Sequence, residues 1–485
     1  MDAAVSKRKT SYWIHLCITI LFMFGFRFLS APEPITPYGM QILGIFIGLV
    51  WGWSFCDLAW PSVLAMVALG ISDYGITSAV FEASFGQANL ILIILSFLMF
   101  APVTESGLSK WLGMKLLTVK AVKGKPLFMI GIIYFGTLIL SVFVNGLVVG
   151  IFMMQLFIGI FKQLGYQKGD RFIPMFLVGM FICTGLGSIL IPFRSMPLMV
   201  FGVIMKAGIP VNNNGYFIFA ILVCVLLILS WLLLIKLLKC NISPLKDADF
   251  TAFEEELKTP LTKYQSMLLK IIVAFIGGII FVGVLGKAGE NPFLNTLNSI
   301  GVYGVMALAV VIMLLINVEG KQMLNLKTAA ASVNWDFVFL YAMAMLMSSL
   351  ITDQTTGISS YVIKFITPIM AGLGTFWFLM LLGIVTLVLT NIGNNIVVIF
   401  TMTSVVVMMV TQGLPINGML AATIVLWTGL VTGYLTPAAS VTAAMIFGSD
   451  MTTTKGALLQ GVIVMCYWLV SMAIFIIPLG MFFLQ

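Results

Sequence analysis

Two short polar stretches set inside long apolar runs carry the residue types that could do chemistry: Asn145-Gly146, and Gly393-Asn394-Asn395. An Asn amide oxygen with carbonyls from an unwound turn supplies hard oxygen ligands suited to Na+, and the exposed N–H groups of the half-helix that follows suit an anion. Unwound backbone persists at membrane depth only where it lines a cavity or finds protein partners, so such breaks are informative. Packing is the competing reading, in which each Asn bonds helix to helix and Gly lets backbones approach. Arg194 lies between Pro192 and Pro197 with apolar runs on both sides, a costly place for a guanidinium. Its planar fork matches a carboxylate or other oxyanion; the alternative is that it snorkels to an interface and pairs with headgroups. Thr436-Pro437, followed by Ser440 and Thr442, puts hydroxyls at a corresponding break, either to orient a substrate or as ordinary intrahelical groups. The expected substrate contacts are Asn145, Gly146, Arg194, Ser195, Asn394, Asn395, Thr436 and Pro437. The expected Na+ ligands come from Asn145, Ser188, Gly393, Asn394 and Asn395.

The elements that position these groups must be membrane helices. Of 485 residues, 61% are hydrophobic and 9% charged, and mean hydropathy is +1.13; an ordinary soluble domain carries about 25% charged residues. No soluble globule of this size covers that apolar surface, so lipid must. A spanning helix takes ~20 apolar residues, which allows roughly ten spans. The expected fold is an all-α polytopic membrane protein with no soluble domain, multi-pass in a cell membrane and, as an expectation, the bacterial inner membrane. Lys7-Arg8-Lys9 ahead of Tyr12 to Leu29 resembles a secretory signal, but Pro32 follows the possible cleavage point and the whole remainder is membrane. The segment is read as a retained first helix.

The order of features repeats. Residues 1–238 hold the first helix and a first unit, 239–263 a charged connector with Asp247, Asp249 and Glu254 to Glu256 among lysines, and 264–485 a second unit. Thr104-Glu105-Ser106-Gly107-Leu108-Ser109 corresponds to Asp353 through Ser359 at a spacing of about 250 residues, which also sets Asn145 on Asn395. Thr428 to Pro437 stands where the first unit has Thr184 to Pro197, read as interrupted at Gly185 to Ser188 and again at Pro192 to Pro197. With the short hairpin-like Asn334 to Leu350 ahead of Asp353, as Asn89 to Val103 stands ahead of Thr104, four features in one order argue for a duplicated unit, the plan of inverted-repeat transporters. A re-entrant hairpin is expected over Phe81 to Val103, too short to cross comfortably. The basic stretch Lys110 to Lys125 is expected in the cytoplasm. Glu82, Glu105, Asp336 and Asp353 are read as interfacial, and Asn391 is expected to matter less to transport than Asn145 or Asn395.

Other function classes lose ground on the same residues. The net charge of +8 comes from short inter-span loops without the aromatic interleaving of a nucleic-acid surface, so no nucleic-acid partner is expected. His15 is the only histidine, which excludes His-dependent triads and multi-His metal sites. The six cysteines lack CxxC spacing, so neither a metal site nor a disulfide framework is indicated. An enzyme is not expected, nor any cofactor beyond Na+ as a coupling ion. A channel would show pore-lining repeats without breaks in register.

With these features in place, the chain resembles the divalent anion/sodium symporter family, the dicarboxylate and citrate carriers of the ion transporter superfamily. Trp53 to Pro61 looks like that family's early Trp, acidic residue and Pro element; Asn89 to Leu117 looks like its first hairpin and the basic helix behind it. Where the family carries Ser-Asn-Thr in each half, Val144-Asn145-Gly146 and the Asn394-Asn395 pair keep only Asn, and Thr436-Pro437 matches its Thr-Pro element better than Arg194's surroundings do. The resemblance implies a homodimer in membrane lipid. Each protomer would move a transport domain past a scaffold, elevator fashion, to carry a small anion, a di- or tricarboxylate, with Na+. Arg194 also supports a rival reading, Na+-independent anion exchange with the guanidinium as fixed counter-charge.

Overall fold

Long apolar stretches without charge can satisfy their backbone only as helices when water is absent, and helices are what the chain forms. The computed structural model describes residues 10–108, 111, 124–143, 145–247, 260–285, 292–437 and 439–484. The first group is α1 (Thr10–Gly25), α2 (Pro37–Phe55), α3 (Ala59–Gly70), α4 (Thr77–Phe85) and α5 (Ala88–Glu105). The second is α6 (Pro126–Phe143), α7 (Gly146–Gln163), α8 (Phe172–Leu190), α9 (Ser195–Lys206) and α10 (Asn213–Leu237). Then come α11 (Lys263–Leu285), α12 (Pro292–Leu315), α13 (Leu326–Ala331), α14 (Trp335–Thr352) and α15 (Ile358–Ile392). The last group is α16 (Asn395–Thr411), α17 (Gly418–Val431), α18 (Val441–Phe447), α19 (Thr454–Ser471) and α20 (Ile477–Phe483).

Among the described residues the strands are β1 (Asn317–Val318) and β2 (Lys321–Gln322), an antiparallel pair between α12 and α13. Nine helices there are long and apolar enough to cross a bilayer, ten if a bent pair is one span, in line with the roughly ten expected. The protein is an all-α polytopic membrane protein. The tail Lys7-Arg8-Lys9, all of the Lys110 to Lys125 stretch except residues 111, 124 and 125, and residues 248–259 of the connector lie outside the described residues.

The two Asn stretches do more than interrupt helices: at each, the chain turns back. Tyr134 on α6 donates to Phe176 O of α8 at 3.1 Å, and Arg194 beyond the end of α8 donates to Val142 O at 2.8 Å, so α6 and α8 run parallel. On α7, Phe157 meets Phe176 and Phe161 meets Phe172, with ring centroids 4.8 and 5.6 Å apart, while Gly146 lies against Thr184 and Ser188. Thus α7 is antiparallel to α8, and α6–α7 is a helical hairpin with its tip at Asn145.

The same local arrangement recurs around Asn394. Thr390 donates to Gly429 O at 2.9 Å, Asn391 to Thr432 O at 3.2 Å, and Gly383 faces Ile424, so the end of α15 runs parallel to α17. Ile399 lies against Gly429 and Val410 against Gly418, so α16 runs antiparallel to α17. Gly374, at φ 68°, divides α15; L side chains rarely adopt that conformation. Its second part makes the hairpin with α16, and its tip is at Gly393-Asn394. Over the stretch where the hairpin is expected, Phe81 to Val103, α4 and α5 form a pair bent by 56°, the geometry of a broken span or a re-entrant loop, with Gln87 donating back to Ala83 O across the joint at 2.5 Å.

Beside the hairpins, α8 and α9 form one interrupted helix and α17 and α18 another. The expected interruption at Gly185 to Ser188 is absent: α8 runs through it, with the Ser188 hydroxyl donating to Thr184 O at 2.9 Å within the helix. Its glycines serve close packing instead, Gly185 lying against Leu430 and Val431. The break falls at Ile191, extended at φ −98°, ψ 127°, because Pro192 disfavours a helical residue before it. α8 thus crosses α17, and α9 packs against α16 and α17.

The carbonyls freed at the end of α8 must be satisfied within the protein. Buried Tyr216 on α10 donates to Ile189 O at 2.5 Å and accepts from Trp427 Nε1 of α17 at 3.1 Å, so one hydroxyl ties three helices together at the break. Tyr216→Phe leaves two buried groups without partners and is expected to cost about 2–4 kcal/mol. Thermal unfolding in detergent, with a Tyr134→Phe variant beside it, measures the loss; an unchanged midpoint would mean water replaces the hydroxyl.

Candidate functional site

At the first tip the side chain of Asn145 accepts from Leu147 N at 2.9 Å, capping α7. A capping amide is worth ~1 kcal/mol and satisfies one of the N–H groups that a helix start leaves without partners. Gly146 follows because nothing larger fits: a Cβ there would lie 2.8 Å from Ser188 Oγ and 2.9 Å from Thr184 O. Across the gap, α9 begins at Ser195 with extended Arg194 at its N-cap position and no side-chain cap, and Pro197 in its first turn brings no N–H. Two helix N-termini, each with a partial positive charge, therefore meet at the tip.

Arg194 turns onto this tip. Besides its bond to Val142 O, its guanidinium carbon stands 5.0 Å from the centroid of the Phe100 ring on α5, a cation–π contact worth ~0.5–2 kcal/mol. The bond to Val142 also supplies a donor to the last turn of α6, where carbonyls lack partners. Asn145, Arg194 and Ser195 line a cavity of about 250 Å³ together with Ser96, Phe97, Phe100, Ala101, Glu105, Val148, Ser332 and Asn334. Its wall on one side is the first hairpin and α9; on the other it is α5 and the turn before α14. A space of that size with a guanidinium and two helix starts suits a small anion.

The second break is polar but uncharged. Asn394 caps α16, accepting from Ile396 N at 3.0 Å, with φ −64° and ψ 124° against −59° and 121° at Asn145. The capping geometry therefore pairs Asn394 with Asn145, one residue away from the register that set Asn145 on Asn395. Asn395 is the first residue of α16 and half-buried. Thr436 donates to Asn391 O at 3.1 Å, while Pro437 is exposed. Asn394, Asn395, Thr436 and Pro437 do not line the cavity that holds Arg194. Gly393 precedes the tip in extended conformation, and Ser188 contacts the first tip as part of α8.

Two residues carry more than their sequence suggested. Asn391 is buried and donates to Leu387 O at 2.8 Å and Thr432 O at 3.2 Å, while its amide oxygen accepts from Leu435 N at 2.9 Å. It holds the unwound segment after α17 against the end of α15. The available signal was its place one turn before the second tip. Glu105, read as interfacial, lines the Arg194 cavity, and its carboxylate accepts from Ser332 Oγ at 3.5 Å. No sequence signal placed Ser332 or Asn334 there, since both come from the other unit.

Asn391→Ala, which strips three bonds from buried backbone groups, is expected to destabilise by ~2–4 kcal/mol and to abolish uptake in proteoliposomes. Asn395→Ala should impair uptake while leaving the unfolding midpoint nearly unchanged, since Asn395 is only the half-buried first residue of α16. Equal effects in paired uptake and thermal-unfolding assays would return the second tip to a packing role.

The chain also matches known proteins. From residue 10 to residue 484 it fits the family model described as the sodium:sulfate symporter transmembrane region. A search of the curated proteins gives no match. Among solved structures, Neisseria gonorrhoeae MtrF, described within a class of antimetabolite efflux pumps, superimposes with a TM-score of 0.56 over 97% of this chain and 95% of that one, at 12% identity. That likeness is one of fold.

Proposed function

The chain belongs to the sodium:sulfate symporter family and is an anion transporter, and from that premise we propose that it carries a small organic dianion, a di- or tricarboxylate, coupled to Na+. The observation that carries the reading is the single cavity lined by Arg194 and Ser195 at the start of α9 and by Asn145 at the start of α7. A guanidinium offers a carboxylate two parallel charge-assisted bonds, and the two helix starts add donors directed at the same negative charge. Asn145, Gly146, Arg194 and Ser195 bind the anion on this reading. Asn394, Asn395, Thr436 and Pro437, which lie outside this cavity, are proposed to meet the anion from the second break. Na+ is held by amide and backbone oxygens at the tips, from Asn145, Ser188, Gly393, Asn394 and Asn395.

The mechanism proposed is an elevator built on a duplicated unit. The matching geometry of the two hairpins, each with one helix parallel and one antiparallel to the broken helix beside it, supports duplication. The cavity supports the motion, because its walls come from two bodies. The hairpins with α8, α9 and α17 form the carriage; α2, α3, α5, α13 and α14 form the frame. Contacts such as Trp53 edge-on to Phe400, with centroids 5.5 Å apart, are apolar and able to slide. The domain limits 1–238, 239–263 and 264–485, the homodimer and a bacterial inner-membrane location belong to the same proposal.

Exchange of anions without Na+ is the second reading, favoured by the same Arg194, which supplies permanently the charge that bound cations would bring. Proteoliposomes loaded with unlabelled anion separate the two. Under symport, uptake of labelled succinate, citrate or sulfate follows an imposed Na+ gradient; uptake indifferent to Na+ and stimulated by internal anion would establish exchange. In either case Arg194→Gln is expected to weaken anion binding about a hundredfold, the loss of a charge-assisted pair worth ~3 kcal/mol, with Arg194→Lys intermediate. Unchanged affinity in calorimetry would remove Arg194 from the anion site.

A further inference from the structure

Glu105 belongs to two cavities at once. It lines the Arg194 cavity of about 250 Å³ and also a larger, more polar one of about 780 Å³, lined by Ser106, Tyr264, Gln265, residues 318–323 and Thr328 among others. The larger space is bounded by the start of α11 and the β1–β2 turn, which are clasped by Tyr264 donating to Met323 O at 2.6 Å and by the Lys263–Glu319 pair at 3.5 Å. Gln265 Nε2 donates to Ser106 O at 2.8 Å and so fixes the residue next to Glu105 in the wall between the two spaces.

From this placement we propose that Glu105 is a charge gate on the anion's route, admitting a dianion to Arg194 only when a cation, Na+ or a proton, neutralises the carboxylate. The inference rests on the anion-site reading above. A dianion passing from the outer cavity to Arg194 by way of the lining they share meets the Glu105 carboxylate, and like charges repel. Ser332, whose hydroxyl reaches the Glu105 carboxylate, lines the same inner cavity, and hydroxyl and carboxylate are oxygen ligands of the kind that Na+ accepts. Arg194 favours the anion wherever it binds, whereas Glu105 makes its arrival depend on the cation. The gate would thereby tie the two fluxes together at a place separate from the hairpin tips.

Among the described residues, the charged or titratable groups lining these two cavities with Glu105 are Arg194, Tyr264, Glu319 and Lys321. Of the group, Glu105 and Glu319 are the carboxylates, so Glu319→Gln is the control. The measurement is KM for labelled succinate, with sulfate as second probe, in proteoliposomes. Na+ is varied at fixed pH in one arm and pH at fixed Na+ in the other. The wild-type KM is expected to fall as the neutralising cation rises, and the arm that responds identifies Na+ or the proton.

Glu105→Gln should lower KM about tenfold at low cation and flatten its cation dependence, with kcat changed far less. Glu105→Asp should keep the dependence, and Ser332→Ala should move the half-saturating Na+ if Na+ is the cation. A Glu105→Gln protein that keeps the wild-type dependence overturns the gate. If that variant does not fold, Glu105→Ala takes its place, and a Glu105→Ala protein that keeps the wild-type cation dependence overturns the gate equally. Loss of affinity in Arg194→Gln alongside an unaltered Glu105→Gln profile would sink the gate alone; retained affinity in Arg194→Gln would sink the anion site beneath it.

Discussion

Every helix end inside this protein must find its hydrogen-bond partners within the protein, because hydrocarbon offers none. That one constraint accounts for most of the polar residues placed among the helices. Asn145 and Asn394 satisfy the starts of α7 and α16 with their own side chains. Arg194 satisfies a carbonyl at the end of α6, and Tyr216 one at the end of α8. Asn391 serves backbone groups on both sides of the second break. Each unmet group would cost ~1–3 kcal/mol, so these side chains hold the breaks in place, and Asn145 and Arg194 also line the cavity beside the first break.

The two breaks meet that constraint with different charge. In the first, a guanidinium does the work that amides and hydroxyls do in the second, and it is held by Val142 O and the Phe100 face. A fixed cation attracts an anion by itself, whereas the second break offers only neutral amides and hydroxyls. The backbone around the two tips is alike within a few degrees at Asn145 and Asn394, so the difference lies in side chains alone. Packing differs as well: the first hairpin is locked to α8 by an aromatic cluster of Phe157, Phe161, Phe172 and Phe176. The second rests on aliphatic and small residues, Ile399 against Gly429 and Val410 against Gly418.

Membership of the family was legible because its marks are local: an early Trp and Pro, Asn at each tip, and a Thr-Pro near the end. The family match over residues 10–484 agrees with that resemblance. Hairpin direction was less legible. A polar interruption in an apolar run reads the same whether the chain continues or turns back, and only the partners of Tyr134, Phe157 and Arg194 reveal the reversal at Asn145. Gly185 to Ser188 looked like a break for the same reason. Glycine permits both unwinding and close approach, and the nearness of Val431 made it the second.

By itself, the sequence determined the class of protein, the membrane helices, the position of both tips and the placing of one cation between two prolines, since these follow from hydropathy and from the stiff geometry of Pro and Asn caps. Only the tertiary structure decided that Asn394 rather than Asn395 matches Asn145, because a cap is defined by the N–H it accepts from. It alone moved Asn391 from bystander to the brace of the second break. It alone joined Glu105, Ser332 and Asn334 to Arg194 in one cavity, since residues far apart in the chain share a space only through the packing of the helices that carry them.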